Sequence, residues 1–148
     1  MYTAGVRSLG IDFGAKRIGL ALSDPEGRIA RPFEVYERRS PLADVRRICL
    51  LVIEEGVEEV VLGLPLEENG TRGASAAAVE GFLADLKSHL DLPIHLVDER
   101  YTTREARDAL REAGLDARST GGKVDAVAAA LILQTYLDHR ERTETDAC

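Results

Sequence analysis

The chain has few of the residues that build cysteine or histidine sites. Its 148 residues include two cysteines, Cys49 and Cys148, three histidines and no tryptophan. Two cysteines do not make a disulfide scaffold or a cysteine-bound metal cluster. The histidines, His89, His95 and His139, lack the spacing of zinc ligands. The composition therefore excludes a disulfide-rich domain and gives no support to a zinc site.

Long apolar segments are also missing. No apolar run approaches the roughly 20 residues needed to span a bilayer, and residues 1–7 lack the apolar core of a signal peptide. We therefore expect a cytoplasmic protein with no membrane partner. The charged fraction of 30% and the hydrophobic fraction of 45% exclude a disordered chain, and 148 residues suit one domain.

Positive charge is in deficit, with 19 Lys and Arg against 26 Asp and Glu and a net charge of −7. This argues mildly against nucleic-acid binding, because neutralised phosphates supply much of the affinity. The distribution of charge matters more than its sum. Basic residues cluster at 16–17, 38–39, 46–47 and 100–107. An ordinary solvated surface explains any one of these clusters about equally well.

The first part of the chain has the pattern of three strands joined by short turns. Strands are predicted over 9–14, 18–23 and 28–36. Pro32 interrupts the third strand, which indicates an edge position in the sheet. Three consecutive strands with short connections make an antiparallel meander.

The remainder alternates between helix and strand. Helix signals are Ser40 and Pro41 at a start and Gly56 at an end. Further helices are predicted around 79–90, from the capping-box spacing of Thr102–Glu105 to near Gly114, and over 124–137, and strands over 59–63 and 93–97.

This order of elements predicts an α/β fold. The sheet should be mixed and five-stranded, with three antiparallel strands followed by two parallel ones, and flanked by helices. We expect a single domain over residues 1–140 and an acidic, disordered tail over 141–148. Ligands of such open sheets gather at the carboxyl ends of the parallel strands.

Asp12 is the most informative residue. It lies in an apolar strand between Gly10 and Gly14, and alternation places all three on one face. A carboxylate in such a strand is costly unless it is paired, hydrogen-bonded or metal-bound. Pairing with Lys16 or Arg17 is the structural alternative, and a metal or phosphate site is the better explanation.

Two further segments carry acids at element ends. Asp98 and Glu99 follow the fifth strand, and alternation sends them to opposite sides, so only one should face Asp12. Pairing with Arg100 or capping of the next helix is the alternative for either acid. Asp125 opens the last helix, where an acid is also favourable with the helix dipole alone.

Acids on three separate segments can surround one hard cation. Mg²⁺ prefers oxygen ligands and keeps several waters, and two such ions roughly 4 Å apart can promote phosphodiester cleavage. We therefore predict a site for Mg²⁺ or Mn²⁺ with Asp12, Asp125 and one of the two acids Asp98 and Glu99 as ligands, and all four acids are catalytic candidates.

Basic and polar residues near these acids are candidates for substrate contacts. The predicted phosphate contacts are Lys16, Arg17, Arg100 and Lys123, each close in sequence to one of the acids. Asn69 lies in the glycine-containing loop after the fourth strand, whose backbone N–H groups could also contact phosphate. Structural ion pairs and an ordinary surface loop explain these features equally well.

Four blocks of residues resemble the motifs of one family. They are Leu9–Asp24, Val61–Leu66 with Asn69–Thr71, Val97–Thr103 and Gly122–Ala126, in order and spanning almost the whole chain. Together they resemble the YqgF family, also called the RuvX or Holliday-junction-resolvase family.

The resemblance implies an RNase H-like fold related to the RuvC resolvases, a divalent-metal site and 5′-end maturation of pre-16S ribosomal RNA. Asp12, the pair Asp98-Glu99 and Asp125 fall on the family's acidic motifs, and the motif favours Glu99 over Asp98 as the acid that faces the metal. The wider superfamily carries its second acid on the fourth strand. This chain has Leu62–Leu64 there, which implies a shifted site.

Other functions stay open at this stage. The same chemistry could act on branched DNA, and a homodimer rather than a monomer would suit a four-way junction. A non-catalytic RNA-binding or transcription-associated module could keep the fold without turnover. Asp12–Gly19 also resembles the phosphate loop of the actin and sugar-kinase group, but that group needs two such domains.

Overall fold

The structure is a computed structural model that describes residues 6–67, 69–116 and 123–147. Its centre is one mixed sheet of five strands: β1 Ser8–Phe13, β2 Arg17–Ser23, β3 Ala30–Glu37, β4 Glu59–Leu64 and β5 Ile94–Asp98. The spatial order is β3-β2-β1-β4-β5, with β1 to β3 antiparallel and β4 and β5 parallel to β1. The predicted fold class is confirmed, and so is the edge position of the strand that contains Pro32.

Within the described residues, four α-helices flank the sheet: α1 Pro41–Glu55, α2 Ala74–His89, α3 Arg104–Glu112 and α4 Val124–Ala147. Helix α1 begins and ends where its sequence signals predict. The Ser40 hydroxyl accepts a hydrogen bond from the Ala43 N–H at 3.2 Å. Gly56 ends the helix in the left-handed conformation, with φ of 65°, which costs glycine little because it has no Cβ.

Side chains alternate between two cores across the sheet. Leu9 and Ile11 of β1 are fully buried in the core that α1 and α2 cover. Gly10 faces α4, where a Cβ on this residue would lie 2.7 Å from the Leu133 Cβ. Asp12, two residues further along the strand, lies on the same α4 side.

The first turn of α4 lies directly against β2. A Cβ on Gly19 would lie only 1.9 Å from the Asp125 carbonyl oxygen, so no side chain fits there. Ala126, Ala129 and Ala130 are fully buried in the same contact. Small residues on both elements therefore set how closely α4 approaches the sheet.

Helix α3 corrects one detail of the predicted capping. Thr103, not Thr102, is its cap, and its hydroxyl accepts from the Ala106 N–H at 3.0 Å. A 3₁₀ turn over Glu99–Tyr101 precedes it and ends at Thr102. Two consecutive threonines are equivalent in a spacing argument, and the unpredicted 3₁₀ turn decides between them.

Helix α4 is longer than its apolar pattern. The sequence predicts a helix to residue 137 and a disordered tail from residue 141, but the structure continues the helix to Ala147. Once a helix is anchored, each added residue gains a hydrogen bond without a new nucleation cost. Among the described residues, no helix is long and apolar enough to cross a membrane.

Candidate active site

Strand register brings Asp12 and Asp125 together. Asp12 is paired with Gly19 across β1 and β2, and the Asp125 backbone packs on Gly19. The missing side chain at Gly19 thus lets the start of α4 reach the end of β1. Two acids more than a hundred residues apart in sequence meet because of this contact.

Glu99 reaches the same place from the other side. It is the first residue of the 3₁₀ turn after β5, and the neighbouring β4 carries Gly63 beside Val97. A Cβ on Gly63 would lie 3.1 Å from the Glu99 carboxyl carbon. The Ile132 Cδ1 would be closer still, at 2.6 Å. The Glu99 carboxyl group and the Ile132 side chain therefore share the space above the fourth strand that Gly63 leaves open.

The carboxyl groups of Asp12 and Glu99 are hydrogen-bonded to each other. Burial, the negative charge of Asp12 and this hydrogen bond raise the pKa of Glu99 to about 7. Burial, followed by the charge of Asp125, also raises the pKa of Asp12, and the hydrogen bond from Glu99 partly offsets this. The pair therefore shares a proton near neutral pH, because two adjacent half-buried carboxylates repel each other.

Asp125 has a cationic partner. The Arg17 Nε donates to its Oδ2 at 2.9 Å, and both side chains are partly exposed. An ion pair of this exposure contributes little stability. It does hold a positive charge at the edge of the acidic cluster, where the sequence predicts a phosphate contact.

Asp98 and Glu99 have different surroundings. The Asp98 carboxylate accepts from the Arg100 backbone N–H and pairs with its guanidinium at 2.6 Å. This hydrogen bonding lowers the pKa of Asp98. Glu99 is thus the acid against Asp12, while Asp98 holds Arg100 and caps the 3₁₀ turn.

The other predicted substrate residues lie in turns and short connections between the main elements. Lys16 is exposed in the turn between β1 and β2, and Lys123 is exposed just before α4. The Arg100 guanidinium lies close to Gly70 of the loop after β4. Asn69, in that loop, accepts hydrogen bonds from the Thr71 N–H and hydroxyl, so its side chain closes the turn.

Arg38 is a residue that the sequence analysis did not select. Its guanidinium lies over the Phe13 ring, 4.3 Å from the centroid, and pairs with the buried Asp44 at 3.0 Å. It also donates to the carbonyl oxygens of Gly14 and Ala15. Arg38 therefore braces the turn that carries Lys16. The basic pair at 38–39 was the only signal for it.

The donor set fits a hard cation in its chemistry. Asp12 and Glu99 offer carboxylate oxygens in contact, with Asp125 close enough to raise the Asp12 pKa. Mg²⁺ is often bound by one or two protein carboxylates and several waters. Within residues 6–67, 69–116 and 123–147, no group of three or more acids, histidines or cysteines has the arrangement of a preformed metal centre.

Solved structures of Holliday junction resolvases share this architecture. Thermus thermophilus RuvC in complex with Holliday junction substrate matches with a TM-score of 0.66 and 17% identity, over 93% of this chain and 97% of that one. The fowlpox virus Holliday junction resolvase matches with a TM-score of 0.53 and 10% identity, over 90% and 99%. These likenesses define the fold class, which is RuvC-like and RNase H-like.

The sequence identifies the family within that class. Residues 6–139 match the family described as RuvX, Holliday junction resolvase. A relative from Anaeromyxobacter sp., named "Putative pre-16S rRNA nuclease", is 46% identical over 91% of this chain and 98% of its own length. A relative of the same name from Chloroflexus aggregans is 42% identical over 89% and 93%. The chain belongs to the RuvX family, as its four motif blocks predict.

Proposed function

We propose that this protein is a divalent-metal-dependent endonuclease that hydrolyses phosphodiester bonds during 5′-end maturation of pre-16S rRNA in the cytoplasm. Asp12, Glu99 and Asp125 hold the metal, which is Mg²⁺ or Mn²⁺. The observation that carries the proposal is the Asp12–Glu99 carboxyl contact at the carboxyl ends of β1 and β5, with Asp125 beside it.

No structural role of the acidic cluster offsets the free energy that it takes from folding. Half-buried carboxylates in contact oppose folding unless a proton or a cation relieves their repulsion. Asp12, Glu99 and Asp125 would hold a divalent cation, which would supply the activation of water and the stabilisation of the leaving oxygen in phosphodiester hydrolysis. Asp12 and Glu99 supply its oxygen ligands from the sheet, and Asp125 supplies a third from α4.

The cations around the cluster bind the substrate backbone. Arg17 pairs with Asp125 and Arg100 pairs with Asp98, so a guanidinium group lies beside each of these two acids. Lys16 and Lys123 extend this positive border, and the loop that contains Asn69 contacts the backbone next to Arg100. Such contacts position a nucleic acid without reading its sequence.

The names of the relatives favour RNA as the substrate. Two relatives that are 46% and 42% identical to this chain, over most of its length, have the same name, which specifies pre-16S rRNA. Branched DNA is the second candidate, because the family description names a Holliday junction resolvase and the RuvC structure contains a junction substrate. The same site would serve either substrate.

A direct cleavage assay tests the proposal. The protein is incubated with pre-16S RNA and, separately, with a synthetic four-way DNA junction, each with Mg²⁺, Mn²⁺ or a chelator. We expect metal-dependent cutting of the RNA near its 5′ end. Cutting of the junction alone would establish the resolvase instead. Binding without cutting under every metal condition would indicate a non-catalytic module.

Salt dependence tests the phosphate contacts. We expect replacement of Lys16 and Lys123 together by Gln to weaken RNA binding and to flatten the plot of log affinity against log salt by about one unit per lost contact. The measurement uses a non-cleaving variant without metal. The matched control is Lys87→Gln, an exposed lysine in the last turn of α2. An unchanged slope in the double variant would make both lysines ordinary surface residues.

The raised pKa of Glu99 predicts a pH effect on the metal-free protein. The folded protein keeps a proton on Glu99 up to about pH 7, whereas its ordinary pKa is 4.5. The stabilisation from this proton is complete below pH 4.5 and is lost as the pH rises through 7. Melting in chelator should therefore show a fall between pH 5 and 8 that Glu99→Gln removes and Mg²⁺ reverses. An equal fall in Glu99→Gln would contradict the assignment.

A further inference from the structure

A cavity of about 810 Å³ lies at the outer edge of the sheet, next to the acidic cluster. It is bounded by β5, the 3₁₀ turn, the cap of α3 and the middle of α4. Ligand pockets of small molecules and cofactors have volumes in this range. The cluster itself does not use this space, and β5 has no strand on its outer side among the described residues.

Aromatic rings line two parts of this edge cavity. His95 of β5 and Tyr136 of α4 stack with centroids 4.9 Å apart and an interplanar angle of 25°. Tyr101, at the end of the 3₁₀ turn, is 64% exposed, and the Arg100 guanidinium lies 5.3 Å from its ring centroid. Leu96, 45% exposed, adds apolar surface. Tyr101 and Leu96 therefore offer exposed apolar surface next to a guanidinium group.

The rings of His95 and Tyr136 are held in place by contacts with Glu59. The Tyr136 hydroxyl donates to Glu59 Oε1 at 3.2 Å, and His95 Nε2 lies 3.3 Å from the same oxygen. Arg140 pairs with the other Glu59 oxygen at 2.6 Å. This buried network fixes the two rings before any ligand arrives, which lowers the entropy cost of binding.

The edge cavity and the acidic cluster are built on the same short segment of the chain. Asp98 and Tyr101 line the cavity, and Glu99, which lies between them in sequence, contacts Asp12. Consecutive Cα atoms lie 3.8 Å apart, so the Cα atoms of Glu99 and Tyr101 are at most about 7.6 Å apart. Aromatic rings and arginine planes are the surfaces on which unpaired bases stack.

We propose that the edge cavity binds an unpaired nucleobase of the RNA strand beside the phosphate that is cut, with Tyr101 as the stacking residue at its entrance. The proposal rests on the proposed function, since it assigns a substrate feature to the same site. The protein then selects phosphates that neighbour an unpaired nucleotide, and it does so through base stacking without reading the sequence. With a net charge of −7, contacts with the phosphate backbone contribute less affinity, and base stacking adds to it.

The test compares two RNA duplexes that differ in one nucleotide. One is fully paired, and the other has a single unpaired 2-aminopurine, whose fluorescence falls when it stacks on an aromatic ring. Binding is measured with the full-length Asp12→Asn variant, so that no cleavage interferes. We expect the unpaired duplex to bind about ten-fold or more tightly than the paired one, with quenched fluorescence, as stacking on an aromatic ring implies.

Three further variants on this background locate the effect. Tyr101→Ala should abolish the preference and the quenching, and Tyr101→Phe should keep both because it retains the ring. Ile53→Ala, which removes an exposed apolar side chain from α1 on the other side of the sheet, should change neither. Thermal melting shows whether each variant is folded, and a misfolded Tyr101→Ala is replaced by Tyr101→Ser.

The outcomes separate this proposal from the proposed function. If the wild type cuts pre-16S RNA but Tyr101→Ala keeps the full preference, the edge cavity does not bind the base. If the wild type cuts no RNA yet the preference depends on Tyr101, the cavity stands and the nuclease assignment fails. A change of Tyr101→Ala from dimer to monomer, with base preference intact, would make the cavity a contact between two copies and overturn the proposal.

Discussion

Replacement of Asp12 by Asn should abolish cleavage while the protein stays folded. Asp12 both contacts Glu99 and experiences the charge of Asp125. Asn keeps the shape of the side chain but cannot carry the charge that a divalent cation needs. We expect a loss of activity larger than the roughly 10–100-fold that substitution behind a metal ligand causes.

In the absence of metal, the Asp12→Asn variant should be at least as stable as the wild type, although it has lost activity. Removing one of two repelling carboxylates lowers the pKa of Glu99 and relieves the repulsion. The melting temperature in chelator should be equal to or higher than that of the wild type. Mg²⁺ should stabilise the wild type and leave the variant unchanged, because binding to the folded state alone raises stability.

The control for Asp12→Asn is Asp85→Asn, the same change at an exposed position of α2. This variant should cleave at the wild-type rate and respond to Mg²⁺ like the wild type. An unchanged cleavage rate in purified Asp12→Asn, with contaminating nuclease excluded, would refute the proposed mechanism.

Replacement of Gly19 by Ala should cause the largest loss of stability among single-methyl changes in the described part of the chain. The added Cβ would lie 1.9 Å from the Asp125 carbonyl oxygen and 2.4 Å from its carbonyl carbon. These atoms are backbone, so neither a rotamer change nor a flexible side chain can relieve the clash. Either α4 or β2 must move.

We expect this overpacking to cost about 3 kcal/mol, at the upper end of its usual range. For a domain of this size that cost lowers the melting temperature by about 10 °C. Cleavage should fall as well in protein kept well below that temperature, because the shift of α4 carries Asp125 away from Asp12.

Gly81→Ala is the matched control. Gly81 lies in α2, and a Cβ there would meet nothing within 4 Å. Alanine stabilises an exposed helix by about 0.5–1 kcal/mol relative to glycine, so the same change of residue should raise the melting temperature slightly. If Gly19→Ala melts like Gly81→Ala, α4 does not pack on β2 as closely as described.

The two variants examine two halves of one arrangement. Asp12→Asn removes the central carboxylate of the cluster, and Gly19→Ala displaces the helix that carries its neighbour. Their activity losses have different physical origins, since the first should preserve stability and the second should not. Agreement with both would support the cluster and its scaffold independently.

Much of the fold follows from short-range patterns in the sequence. Ser40, Pro41 and Gly56 predict the bounds of α1, because capping depends on neighbouring backbone groups alone. Pro32 predicts an edge strand because proline has no N–H group to donate to a neighbouring strand. Asp12 is recognisable as a candidate site residue because its apolar strand makes an acid there costly.

The tertiary structure decides which acid meets which. Asp98 and Glu99 are adjacent, and their spacing in the sequence does not show which of them lies next to Asp12. The 3₁₀ turn after β5 places Glu99 against Asp12 and Asp98 against Arg100. Gly63 looks like a missing acid in the sequence. In the structure it leaves space that the Glu99 carboxyl group and the Ile132 side chain share.

The remaining contacts depend on register between distant segments. Arg17 pairs with Asp125, which is 108 residues away in sequence. Gly19 lets α4 approach because it has no side chain, and its pairing with Asp12 in the neighbouring strand brings the start of α4 to that acid. The periodicity of apolar residues, about 2 in a strand and about 3.6 in a helix, predicts which face of the element is buried. They contain no information on which residue of another element lies opposite, because close packing across the whole sheet sets that choice.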